Sequence, residues 1–149
     1  TIAELEQQLK QQPKNASLLA ELAQHYMQLN RYSKDSKQHN SVAKKAINYA
    51  EKSLKLQPEQ QEMHLLLRIA YNVTGNRKKS FEHLYILHQM SPENLTIKQT
   101  VGQFLFNERK YEQALPYLQN PEQNPGCTAA CQQDIAKKLE IIRQYTGLP

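Results

Sequence analysis

Cys127 and Cys131 are the residues in this chain with the most reactive side chains, and only three residues separate them. Three chemistries fit that spacing. As zinc ligands the two thiols are half a tetrahedral site, and no second pair at usable spacing completes it. As a disulfide they need Cys127 outside a helix, because four residues along a regular helix lie near the upper limit of a bridgeable distance. Pro125-Gly126 immediately before Cys127 supplies such a bend. As free thiols they simply open a helix, one of them buried. A disulfide would imply an oxidising compartment, periplasmic or otherwise extracytoplasmic, whereas free thiols suit the cytoplasm. The five histidines, His25, His39, His64, His83 and His88, are scattered, and His83 and His88 fall on different faces of a helix. No His-Glu-x-x-His pair, nucleophile elbow or phosphate-cradling glycine loop occurs. The expectation is a non-enzyme with no cofactor and no metal.

The lysines are the second chemical signal. Residues 31–55 hold seven basic side chains against two acids, Asp35 and Glu51, which accounts for the whole net charge of +5. Lys34, Lys37, Lys44 and Lys45 form the densest part. Such a stretch can meet phosphates or an acidic surface electrostatically, or it can be a solvated helix face. Only Tyr32 and Tyr49 accompany it, and no RNA-recognition signature is present, so nucleic acid is not expected as the partner.

The elements that must position these residues are helical. Glutamine, leucine, lysine and alanine are abundant, and only 4 glycines interrupt 149 residues, a length that suits one domain. No apolar run reaches the roughly 18 residues of a membrane span, so no membrane insertion is expected. The chain opens at Thr1 without an initiator Met or a signal peptide and reads as an excised piece. Asn15-Ala16-Ser17, Asn72-Val73-Thr74 and Asn94-Leu95-Thr96 match the glycosylation pattern, but chance accounts for such matches in an asparagine-rich chain.

A fixed interval runs through the chain. Pro58 and Pro92 are 34 apart, Tyr71 and Leu105 are 34 apart, and Ala46, Ser80 and Ala114 step by 34 twice. In the first unit Pro13 to Pro58, Tyr26 to Tyr71 and Tyr32 to Arg77 are each 45 apart. Three landmarks therefore agree on an insertion of eleven residues between Tyr32 and Ala46. Residues 33–41 are polar and turn-like, and the expectation is a lengthened loop there.

A period of 34 is that of the tetratricopeptide repeat, a helix-turn-helix unit. The chain resembles that family on Leu19, Leu22, Ala23 and Tyr26 in the first unit, Leu67, Tyr71 and Gly75 in the second, and Val101, Gly102 and Leu105 in the third. The second helices match on Ala46, Ala50, Ser53, Leu54 and Pro58, on Ser80, Leu84, Leu87 and Pro92, and on Ala114 and Leu118. Departures are Arg68 in a small-residue slot, His64 and Lys98 where the family often has an aromatic, and Pro116 and Pro121, which shorten the last unit. The fold expected is all-α, a helical repeat or α-solenoid in one domain over 1–149. It comprises a leading helix (1–13), repeat 1 with its insertion (16–59), repeat 2 (61–94), repeat 3 (95–120) and a C-terminal capping helix (128–146).

What the resemblance implies is protein binding in a concave groove lined by first helices. The family's groove slots fall on Ala20, Gln24, Met27 and Gln28, on Leu65, Ile69, Asn72 and Val73, and on Gln99, Gln103, Phe106 and Asn107. This lining is amide-rich and apolar with almost no charge, suited to a peptide or helix segment of another protein. The alternative is that these side chains pack between helices, or that the chain fills its own groove. Ala20, Gln24, Leu66, Thr96 and Thr100 replace the Lys, Asn and Arg with which some members clamp an acidic C-terminus, so such a clamp is not expected. The pattern is similar to bacterial repeat domains serving secretion, envelope assembly or cytochrome maturation as scaffold, adaptor or chaperone. Self-association without a separate ligand is the other reading, and contact with an acidic or nucleic-acid surface through the lysine-rich insertion is a third.

Overall fold

The structure is a computed structural model that describes residues 1–149. It contains eight α-helices and no strand: α1 (Ile2–Gln11), α2 (Ala16–Tyr32), α3 (Ser36–Leu56), α4 (Gln61–Val73), α5 (Arg77–Met90), α6 (Leu95–Asn107), α7 (Tyr111–Leu118) and α8 (Ala129–Thr146), with a 3-10 turn at Pro121–Gln123. Two compact units divide the chain, Thr1–Ile86 and Leu87–Pro149, with the boundary inside α5.

Most of the helices start where side chains replace missing carbonyl acceptors, α4 and α7 excepted. Thr1 and Glu4 form a capping box, and the side chains of Asn15, Asp35, Asn94 and Thr128 accept backbone N–H groups at the starts of α2, α3, α6 and α8. Asn15 and Asn94, two of the three sequon asparagines, are thus helix caps. Asn15, Gln60, Asn94 and Thr128 also keep the repeat intervals of 45, 34 and 34. The capping helix α8 therefore begins where the first helix of a fourth unit would, and its buried Ile135 and Leu139 stand 34 beyond Val101 and Leu105.

The eleven-residue insertion is the clearest correction to the sequence reading. It does not lengthen the loop, which is only Ser33-Lys34-Asp35. In repeat register α2 should end at Gln28, 45 before Val73 at the end of α4, yet it continues through Tyr32. Likewise α3 should begin at Ala43, 34 before Arg77, yet it begins at Ser36. Four residues extend one helix and seven the other, and the hairpin grows by one to two turns. Asp35 explains the early start, because its carboxylate accepts the Lys37 N–H at 3.0 Å. The buried Asn30 side chain donates to the His39 carbonyl and ties the two extensions together.

In the first unit Leu22, Ala23, Ala46, Ala50, Met63, Leu67 and Ala70 are at most 1% exposed and form the core between α2, α3 and α4. Two polar clamps repeat across it. Tyr26 Oη donates to Glu6 Oε1 at 2.6 Å, Tyr49 Oη reaches the same oxygen at 3.3 Å, the two rings stack at 5.7 Å, and Lys45 Nζ lies 5.6 Å from the Tyr26 ring. One unit on, Tyr71 Oη donates to Glu51 Oε1 at 2.7 Å, His83 Nε2 is 3.3 Å from that oxygen, Tyr71 and His83 stack at 5.7 Å, and Lys79 Nζ lies 5.4 Å from the Tyr71 ring. Glu6 and Glu51, and Tyr26 and Tyr71, are 45 apart, while Tyr49 and His83, and Lys45 and Lys79, are 34 apart. Burial and then the bond to Glu6 push the Tyr26 hydroxyl up to about 12, and burial and Glu51 push Tyr71 up likewise. The second clamp is longer by one residue: His83 Nδ1 is 2.9 Å from His64 Nδ1, and His64 Nε2 is 2.9 Å from the Pro58 carbonyl. Burial lowers the His83 pKa, with Glu51 opposing it.

In the second unit α6 packs on α7 and α7 on α8. Gly102 makes the first approach: a Cβ there would lie 2.8 Å from Leu118 Cγ and Tyr117 Cβ. Pro116 lies inside α7, which ends two residues later at Leu118. The turn before α7 places Arg109 at φ 60, the left-handed conformation that Gly75 adopts 34 residues earlier at φ 83.

Candidate functional site

Within the first unit, α2 and α4 leave an open cleft between them of about 320 Å³. Gln24, Met27, Gln28 and Arg31 line it from α2, and Glu62, Leu65, Leu66 and Ile69 from α4. On α2 these are positions i, i+3, i+4 and i+7, and on α4 positions i, i+3, i+4 and i+7, one face of each helix. Met27 and Leu66 are buried and form the floor, Ile69 is half-buried, and Leu65 is 49% exposed. Leu65 therefore presents apolar surface to solvent beside Leu66 and Ile69.

The rim is polar. Gln24 Nε2 donates to Glu62 Oε2 at 3.3 Å, which places the carboxylate at one end of the cleft. Arg31 lies two turns further along α2, about 10 Å at the ordinary helical rise. The cleft thus carries a carboxylate near one end, a guanidinium near the other, two amides between them and an apolar floor.

Of the residues that sequence reasoning put in a groove, Gln24, Met27, Gln28, Leu65 and Ile69 come together here. Ala20, Asn72 and Val73 do not line the cleft; Asn72 is exposed and Val73 half-buried at the end of α4. Arg31 and Glu62 were missed, and they correct the reading of a lining with almost no charge. Their signal was present in the sequence, since Arg31 continues the Gln24–Gln28 face and Glu62 precedes Leu65 and Ile69 on theirs.

The third-unit residues behave differently. Gln99 is buried rather than available: Asn124 Nδ2 donates to its Oε1 at 2.9 Å, and Cys131 Sγ lies 3.9 Å from the same oxygen. Phe106 is half-buried, 5.3 Å from the Tyr111 ring, with Lys138 Nζ 5.7 Å from its own ring. Tyr111 in turn contacts Tyr145 at 5.2 Å. The chain's own C-terminal segment therefore occupies Gln99 and Phe106, while Gln103 is half-buried and Asn107 exposed.

Cys127 and Cys131 are joined as a disulfide with Cα atoms 5.2 Å apart. Cys127 precedes the cap residue Thr128 and so lies outside α8. Lys37, Lys44 and Lys45 lie with Asn40, Ser41 and Asn48 along a shallow surface groove of α3, and Lys34 sits in the preceding loop. No three His, Cys, Asp or Glu side chains are grouped to hold a metal ion. No helix is long and apolar enough to cross a membrane.

A series of antiparallel helix pairs with a 34-residue interval is a helical-repeat architecture, and comparison with solved structures gives it a name: the chain has the tetratricopeptide-repeat fold. TTC0263, a thermophilic TPR protein in Thermus thermophilus, superposes with a TM-score of 0.64 at 14% identity, covering 93% of this chain and 71% of that one. The MamA protein superposes with a TM-score of 0.67 at 15% identity, covering 99% of this chain and 72% of that one. No protein-family profile and no curated protein matches the chain by sequence.

Proposed function

We propose that this chain is a non-catalytic protein-binding module that holds a peptide or helical segment of a partner in the α2–α4 cleft. Its role is that of a scaffold, adaptor or chaperone in an assembly or secretion process. The observation that carries the reading is Leu65, half exposed between Met27, Leu66 and Ile69 in an open cleft. An apolar side chain of the guest completes that surface, as anchor residues do at interface centres. Gln24 and Gln28 offer donors and acceptors to the guest's main chain. Glu62 and Arg31 select direction: a basic side chain of the guest faces Glu62 and an acidic one faces Arg31. About 10 Å corresponds to seven residues of a helical guest or three of an extended one.

The disulfide supports an oxidising, extracytoplasmic setting for the module. The test is capture from a lysate of the source organism with the wild-type chain beside Leu65→Asp/Ile69→Arg, both checked for helicity. A partner retained by the wild type and lost by the variant supports the cleft. Equal capture by both rejects it. Light scattering over a concentration series separates a true partner from self-association.

A further inference from the structure

We propose that the tip of the α2–α3 hairpin docks on an anionic phospholipid surface. The eleven inserted residues lie in this tip, where they extend two helices beyond the register of α4 and α5. What they add is an aliphatic and an aromatic side chain held outward beside cations. Leu29 and Tyr32, three apart on the last turn of α2, are 45% and 83% exposed. Lys34 lies within the three-residue loop and Lys37 just beyond it on α3, and Lys44 continues the Lys37 face of α3 seven residues on. Residues 29–48 contain Arg31, Lys34, Lys37, Lys44 and Lys45 against a single acid, Asp35. That one carboxylate is turned onto the start of α3, accepting the Lys37 N–H.

The surroundings argue for a bilayer over other polyanions. A tyrosine and a leucine at the end of a projecting hairpin fit the headgroup level, where amphipathic rings collect and neighbouring lysines meet lipid phosphates. Single-stranded nucleic acid needs a groove with several aromatic platforms, and Tyr32 is the one tyrosine, with no phenylalanine or tryptophan, within residues 29–48. The tip is also apart from the cleft: Arg31 is the only cleft residue within 29–48. Lipid docking would leave Gln24, Leu65 and Ile69 free for a protein guest.

The test is co-sedimentation of the whole chain with vesicles of phosphatidylcholine alone and of phosphatidylcholine with about 30% phosphatidylglycerol, at roughly 50 and 500 mM NaCl, a range over which surface electrostatics are progressively screened. A fluorescein-labelled single-stranded oligonucleotide serves as the competing polyanion. The expected result is binding only to the phosphatidylglycerol vesicles at low salt. Lys34→Gln/Lys37→Gln/Lys44→Gln, all exposed positions, should weaken it roughly fivefold per lysine. Tyr32→Ser should weaken it further without changing the salt dependence, and Leu65→Asp should not affect it. Failure to bind anionic vesicles at low salt overturns the proposal. So does binding that survives the triple substitution, or tighter binding to the oligonucleotide than to the vesicles.

Discussion

Tyr71→Phe removes one oxygen from the second clamp and tests whether the repeated carboxylate bonds hold successive helices together. The hydroxyl is the donor in a 2.7 Å bond to Glu51, and the Tyr71 residue is only 6% exposed. A hydrogen bond to a charged acceptor is worth about 1.5–3 kcal/mol. Two features put this one near the lower end. The Glu51 side chain is 37% exposed, so water can replace the lost donor, and His83 Nε2 stays 3.3 Å from the same oxygen. The expected loss is about 1.5 kcal/mol, or roughly 3–6 °C in Tm at this chain length. Urea unfolding followed by far-ultraviolet circular dichroism measures it, with native helicity as the control. In a Glu51→Gln background the acceptor is neutral, and the same substitution should cost about half as much. A cost below about 0.5 kcal/mol, or one identical in both backgrounds, would refute the reasoning.

Gly102→Ala gains up to about 1 kcal/mol of helix propensity but drives a Cβ to 2.8 Å from Leu118 and Tyr117, so a net loss of about 1–2 kcal/mol is expected in chemical denaturation. His83, held below its ordinary pKa of 6.5 chiefly by burial, is neutral in the fold, and the unfolded chain binds more protons than the fold below that value. Its contribution to stability is therefore full above about pH 6.5 and falls as pH drops through the folded pKa; His83→Gln should flatten this part of a Tm-against-pH curve, and an unchanged slope would count against it. Reducing Cys127–Cys131 reopens a five-residue loop, worth about 2 kcal/mol on the chain-entropy scale, and should speed amide exchange over residues 129–134 at the start of α8 while leaving α2 unchanged.

The repeat interval made the array legible, because the starts of α2, α4, α6 and α8 and core positions such as Leu22, Leu67, Val101 and Ile135 recur at 45, 34 and 34 residues. The clamps went unread, although Glu6–Tyr26–Tyr49–Lys45 and Glu51–Tyr71–His83–Lys79 stand at the same register positions twice. The inserted segment was misread because polar composition describes a solvated helix face as well as a loop. What decided between them was a cap at Asp35 and a side chain, Asn30, bonded nine residues away. Five of the groove slots that the family resemblance implied, Gln24, Met27, Gln28, Leu65 and Ile69, lie on the cleft. Gln99 and Phe106 were not, since their partners Asn124, Cys131 and Lys138 come from a segment whose course no local pattern fixes. The charges of the cleft went unread because Arg31 and Glu62 lie outside the family's usual slots.

On the proposed function, a partner segment occupies the cleft between α2 and α4. Photo-crosslinking tests it most directly, with a benzoylphenylalanine placed at Gln28, exposed inside the cleft, or at Gln38, exposed on α3 outside it. The expected result is a crosslinked partner from Gln28 that Leu65→Asp abolishes, and none from Gln38. Crosslinks of equal yield from both positions, or a Gln28 crosslink indifferent to Leu65→Asp, would contradict it.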